Sequence, residues 1–167
     1  NQAERDEMTD IADVLCDAGF DVYLPHRDGM EFRLVLAELV ERGWTPPQAA
    51  QFLHAAIFAL DVYQLVEECH CMVWNLNGRT PDEGAVSEAG MGWTLGKPLL
   101  AYKEDVRTLI AGRDNPLLVG MVDFETVEDI DDIPAALTQR IRNAESPPLA
   151  LPKVSLAMQR AVGQGSL

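Results

Sequence analysis

A chain of 167 residues with 27 acidic and 13 basic side chains has a formal charge of −14, a field that repels phosphodiester backbones and argues against a nucleic acid polymer as partner. Its 47% hydrophobic content is enough for one full core, so a single domain is expected. Uninterrupted apolar runs stop short of the roughly 18 residues of a membrane span, and no cleavable leader pattern opens the chain, which points to a soluble cytoplasmic protein without a membrane partner.

From Glu4 to Ala18, apolar Met8, Ile11, Ala12, Val14, Leu15 and Ala18 recur at helical spacing until Gly19. Phe20 to Leu24 then reads as a strand. Glu31 to Arg42 forms a second amphipathic helix ending at Gly43. Thr45-Pro46-Pro47 opens a long third helix running to about Glu68, with proline in the first turn where its missing N–H costs nothing. His70 to Leu76 is a second strand, closed by the Asn77-Gly78 turn. A loop ending near Gly84 leads into a helix of small and apolar residues that stops at Gly96, and Pro98 to Tyr102 is the next strand. Further elements are a short helix near Asp105 to Ala111, an apolar strand from Leu117 to Val122 and a helix from Pro134 to Asn143. Residues 1–145 form the domain, and 146–167, with Pro147, Pro148 and Pro152, read as a linker into a short helix at Val154 to Val162.

Strands that are short apolar runs alternating with helices indicate an α/β, doubly wound parallel sheet of about five strands, flavodoxin- or Rossmann-like, flanked by helices. Such sheets bind ligands beyond their carboxyl ends, here the loops after Leu24, Leu76 and Tyr102. Glu88 is the only charge between Ala85 and Leu95. A carboxylate among Ala, Gly, Met and Trp is either half-buried against a neighbour or lines a cleft, because burying it ionised and unpaired is costly. Cys69-His70-Cys71 looks like half a metal site. Structural zinc needs a second ligand pair, however, and His26 and His54 stand alone. No metal or other cofactor is expected, and Cys69 and Cys71 read as small core residues sharing one strand face.

The run Cys69 to Gly78, the block Asp82-Glu83-Gly84 to Glu88-Ala89-Gly90 and the closing Gly96-Lys97-Pro98 together resemble the nucleoside 2-deoxyribosyltransferase family over about the first three quarters of the chain. The resemblance implies that Glu88 is the nucleophile attacking the anomeric carbon of a 2'-deoxynucleoside, and that Asp82 assists the leaving base. It implies a base or sugar contact from Asp61, and places Gly84 in the substrate loop and Asp28 in the base-recognition loop. Trp74 or Trp93 is then available for stacking. Asn77 stands where the family turn carries aspartate, a neutral replacement that keeps a substrate hydrogen bond while losing any acid role. His70, where the family strand has aspartate, reads as structural. The resemblance also implies nucleoside and free nucleobase as small-molecule partners, a first strand ahead of residue 1, and a homo-oligomer in which a neighbour completes the site, with Asn115 the candidate for the donated polar residue.

Local readings compete at each position. Glu88 could simply meet the helix dipole, Asp82 could be a cap, Asp61 could be a surface acid or pair with His54, and Asn77 could be only a tight-turn residue. Two other functions remain open: an N-glycosidase, for which Ser87 and Arg79 are the local phosphate candidates, and a non-catalytic nucleoside-binding module.

Overall fold

The computed structural model describes residues 2–78, 82–105 and 114–144. The expected helix near Asp105 to Ala111, the segment from 146 onward with its Val154 to Val162 helix, and Arg79 lie, wholly or nearly so, outside them. Helix α1 (Gln2–Asp17) is followed by a helical turn α2 (Pro25–Asp28), the helices α3 (Phe32–Glu41) and α4 (Pro46–Tyr63), and one π-helical turn, Gln64–Glu68. Then come strand β1 (Met72–Asn75), α5 (Glu83–Thr94), β2 (Leu99–Tyr102), α6 (Pro116–Val119), β3 (Thr126–Val127) and α7 (Ile133–Asn143). The three strands form one parallel sheet in the order β1-β2-β3, with Met72 opposite Leu99 and Ala101 opposite Thr126.

Side chains alternate across a strand, and β2 uses both faces. Leu100 and Tyr102 pack with Ile11 and Leu15 of α1 and with Ile133 and Leu137 of α7. Leu99 and Ala101 pack on the opposite face with Trp74, Leu76, Ala89 of α5 and Val122. Helices thus lie on both sides of an open parallel sheet, the α/β class expected, with three strands among the described residues where about five were expected.

Two expected strands differ. Phe20 to Leu24 is extended at Leu24, with φ −120° and ψ 107°, but pairs with no described strand; an extended segment becomes a strand only where a neighbour takes its backbone hydrogen bonds. Leu117 to Val122 is α6 followed by a 3-10 turn. The Oδ1 of Asn115 accepts the Leu117 N–H at 3.0 Å, and Pro116 fixes a helical φ at the first position. The chain reaches the sheet four residues later, at Thr126. A short apolar run carries no period by which helix and strand can be told apart.

The long third helix is divided in the structure into α4 and the π-helical turn. Thr45 caps α4, its N–H and Oγ1 both donating to Gln48 Oε1 at 3.3 and 2.7 Å. Counted through Glu68 the helical stretch has 23 residues and is long and apolar enough, by length and composition, to cross a membrane. The expectation of no such stretch counted only unbroken apolar runs and missed that Gln51, His54, Asp61 and Gln64 are spread thinly along it. Ala49, Leu53 and Leu65 nevertheless pack inside the protein, while Phe52, Phe58 and Tyr63 are exposed.

The end of this helical stretch explains Gly96-Lys97-Pro98. The Lys97 ammonium donates to the Val66 carbonyl at 3.0 Å and the Cys69 carbonyl at 2.5 Å, placing a cation on carbonyls that lack helical partners. Gly96, at φ 76°, supplies the left-handed turn that sends the chain back. Cys71 packs against the α1/α7 core, and burial pushes both the Cys69 and Cys71 thiols up; β1 itself begins only at Met72. Replacing Lys97 with methionine keeps the aliphatic stem and removes the donors, so Lys97→Met is expected to lower unfolding stability by about 1.5–3 kcal/mol, read as a fall in the urea midpoint at unchanged slope.

Candidate active site

Helix α5 begins where its sequence predicts. Asp82 is the N-cap, its Oδ1 accepting the Ala85 N–H at 2.9 Å, a bond that fixes the first turn. Gly84 lies in that turn, where a Cβ would come within 3.0 Å of Asp82 Oδ1. Six residues beyond the cap, the helix buries Ala89 and Gly92 against the sheet and holds Glu88 half-buried at their flank. Among the described residues no side chain donates a hydrogen bond to Glu88. Burial raises its pKa first, and the nearby charges of Asp61 and Asp82 raise it further. The structure therefore brings Glu88, Asp82 and Asp61 into one electrostatic neighbourhood, although they come from α5, the loop before it and α4.

Asp61 is not paired with His54, whose ring packs against Phe32 at 5.4 Å. Its partner is Tyr23. The Tyr23 hydroxyl donates to Asp61 Oδ1 at 3.4 Å, and burial leaves the Asp61 carboxyl raised despite that bond. Tyr23 is itself raised, first by burial and then by Asp61, with Asp28 and Glu88 adding to it, so it remains a neutral donor beside the carboxylates. Nothing in its sequence context singles it out; only the fold brings Phe20–Leu24 next to α4. Gly29 closes over this corner, since a Cβ there would collide with the Pro25 carbonyl oxygen and meet the Tyr23 hydroxyl at 3.2 Å.

The other expected ligands make bonds of their own. Asp28 accepts the Leu24 N–H at 2.8 Å and pairs with Arg27 at 2.8 Å, and that bond to Arg27 holds its pKa below the usual range. Asn77 is bonded to Glu7 and to the loop after β2. Trp74 is fully buried in the core, its indole N–H without a partner among the described residues, so it offers no face for stacking; Trp93 is half-buried beside it. Asn115 caps α6. Ser87 Oγ donates to the Glu83 carbonyl at 2.9 Å within its own helix. Among the described residues no three or more His, Cys, Asp or Glu side chains are grouped so as to hold a metal ion.

A family model described as nucleoside 2-deoxyribosyltransferase matches residues 1–134 of the chain. The chain belongs to that family. Compared with individual curated proteins it matches none. The match covers every element from α1 to the start of α7, including the whole carboxylate cluster, and the family is one of glycosyl-transferring enzymes acting on nucleosides and nucleobases.

The raised Glu88 pKa has a stability consequence. A carboxyl whose folded pKa lies above its unfolded value binds its proton more tightly when folded, so stability falls as pH rises through that interval. Glu88→Gln is thus expected to be more stable than the parent at pH 7, with the difference vanishing below about pH 4, where glutamate is protonated in both states. Thermal melts of both proteins across pH 3.5–7.5 check it. Removing the donor to Asp61 should raise that carboxyl further: in Tyr23→Phe the Asp61 carboxyl carbon, followed by NMR, is expected to titrate at higher pH than in the parent, because the hydrogen bond that favoured the ionised form is gone.

Proposed function

We propose that the protein is a nucleoside 2'-deoxyribosyltransferase that exchanges the base of 2'-deoxynucleosides through a covalent deoxyribosyl ester on Glu88. The observation that carries this reading is the half-buried Glu88, given no hydrogen bond by any side chain among the described residues and set beside Asp61 and Asp82, in a chain of this family. A carboxylate stripped of donors is a better nucleophile than a solvated one.

In the first half-reaction a Glu88 oxygen attacks the anomeric carbon, the bond from that carbon to the base nitrogen breaks, and its electron pair stays on the base. Asp82 delivers a proton to the departing nitrogen. Charge at the sugar passes through an oxocarbenium-like state, which flanking carboxylates stabilise. In the second half-reaction a nitrogen of the incoming base attacks the same carbon, the Glu88 ester bond breaks with its pair returning to the carboxylate, and the acceptor's proton returns to Asp82. Asp61, held by Tyr23, binds base or sugar. Glu88 must be ionised to attack, so its raised pKa places the acid limb of activity above the ordinary glutamate value of about 4.3. Protein, nucleoside and nucleobase suffice, with no cofactor, and the proposal includes a homo-oligomer.

The test incubates the protein with 2'-deoxyadenosine or 2'-deoxyinosine, with and without free cytosine, and follows bases and nucleosides by chromatography. A new deoxynucleoside is expected from the parent. Glu88→Ala should lose at least about a thousandfold in kcat, and Asp82→Asn about a hundredfold or more. The parent should also gain the mass of one deoxyribosyl group on the peptide containing Glu88. Free base without a new nucleoside would make water the acceptor, and no turnover would sink the enzyme reading.

A further inference from the structure

The carboxamide of Asn77 joins three parts of the chain. Its Nδ2 donates to Glu7 Oε1 on α1 at 2.6 Å. Its Oδ1 accepts the backbone N–H groups of Glu104 and Asp105, each at 2.9 Å, just beyond the end of β2. The second oxygen of Glu7 accepts from Asn75 Nδ2 at 2.7 Å, and Asn75 Oδ1 accepts the Asn77 N–H at 2.8 Å. The buried Tyr102 hydroxyl donates to Glu104 Oε2 at 3.1 Å and also neighbours Asn77. Two backbone donors on one side and a carboxylate on the other fix which end of the amide is nitrogen. We infer that Glu7 and Asn77 form a positioning clamp, tying α1 to the carboxyl ends of β1 and β2, and that Asn77 acts by holding the loops there rather than by touching substrate.

The donor pattern makes the pairing specific. Ionised Glu7 can only accept, so residue 77 must donate toward α1 and accept from the loop after β2. An aspartate at position 77 would still accept from Glu104 and Asp105 but would set a second carboxylate against Glu7. Glutamine at position 7 would answer it, donating to that aspartate through its amide nitrogen while its oxygen still accepts from Asn75. What the clamp positions rests on the transferase reading, because Asp82 follows Asn77 by five residues in the sequence. The clamp itself does not.

The experiment uses the full chain as parent, Asn77→Asp, Glu7→Gln and the double variant, measuring melting temperature together with kcat and KM for deoxynucleoside exchange. Asn77→Asp is expected to lower the melting temperature by about 5 °C and kcat by about tenfold or more through loop misplacement, with Glu7→Gln in the same protein restoring most of both. A melting temperature unchanged in Asn77→Asp with only KM raised would make Asn77 a substrate ligand and overturn the clamp. Damage in the double variant equal to the sum of the singles would overturn it as well. If Asn77→Asp does not fold, a soluble double variant supports the clamp and an insoluble one overturns it. Should the parent turn over no deoxynucleoside, the transferase reading fails while the melting temperatures still decide the clamp.

Discussion

Everything in this molecule hangs from the burial of β2 on both faces. Its four side chains are no more than 3% exposed, and each face collects a different set of helices: α1 and α7 against Leu100 and Tyr102, α5 with Val122 against Leu99 and Ala101. A strand buried on both sides cannot slip by one residue without exchanging those sets. Its register therefore fixes both layers. The same pairing lines up the ends of β1 and β2, so that the Leu76 N–H meets the Tyr102 carbonyl at 2.9 Å and the loops leaving both strands emerge on one edge.

On that edge the acidic composition becomes local chemistry. Asp61 and Glu88 are partly removed from water, and both carboxyls are raised by burial first. Burial disfavours the charged form, and like charges compound it. Carboxyls held this way are costly, and perturbed titratable groups are candidates for functional sites. Asp28 and Glu7 make the contrast. Asp28 is matched by Arg27 and a backbone donor, Glu7 by two amides, and both are committed to geometry.

Lys97 and the Glu7–Asn77 network show how polar residues fix the backbone around the sheet's edge through hydrogen bonds between distant parts of the chain. Lys97 ends the π-helical turn and so sets where the chain carrying Asp61 turns into β1. Asn77 was legible in the sequence as a turn residue and, by resemblance, as a ligand; its partner Glu7 lies 70 positions away and carries no local signal. Tyr23 is in the same position, since its neighbour Asp61 is 38 residues on.

The sequence by itself determined the helices, α1, α3 and α7 by their 3.6-residue periodicity and α4 and α5 by their start and stop signals, to within a few residues at their ends. It also determined β1 and β2 and the Asp82-to-Glu88 block that carries the family, because periodicity, caps and contiguous motifs are local properties of the chain. Tertiary structure alone decided that Leu117 to Val122 is helical and Thr126–Val127 the third strand, that Asp61 answers to Tyr23 rather than His54, that Trp74 is core, and that Asn77 belongs to Glu7. Each of those outcomes depends on which distant group supplies a hydrogen bond or removes water, and that information lies in the packing of the sheet and not in any window of sequence.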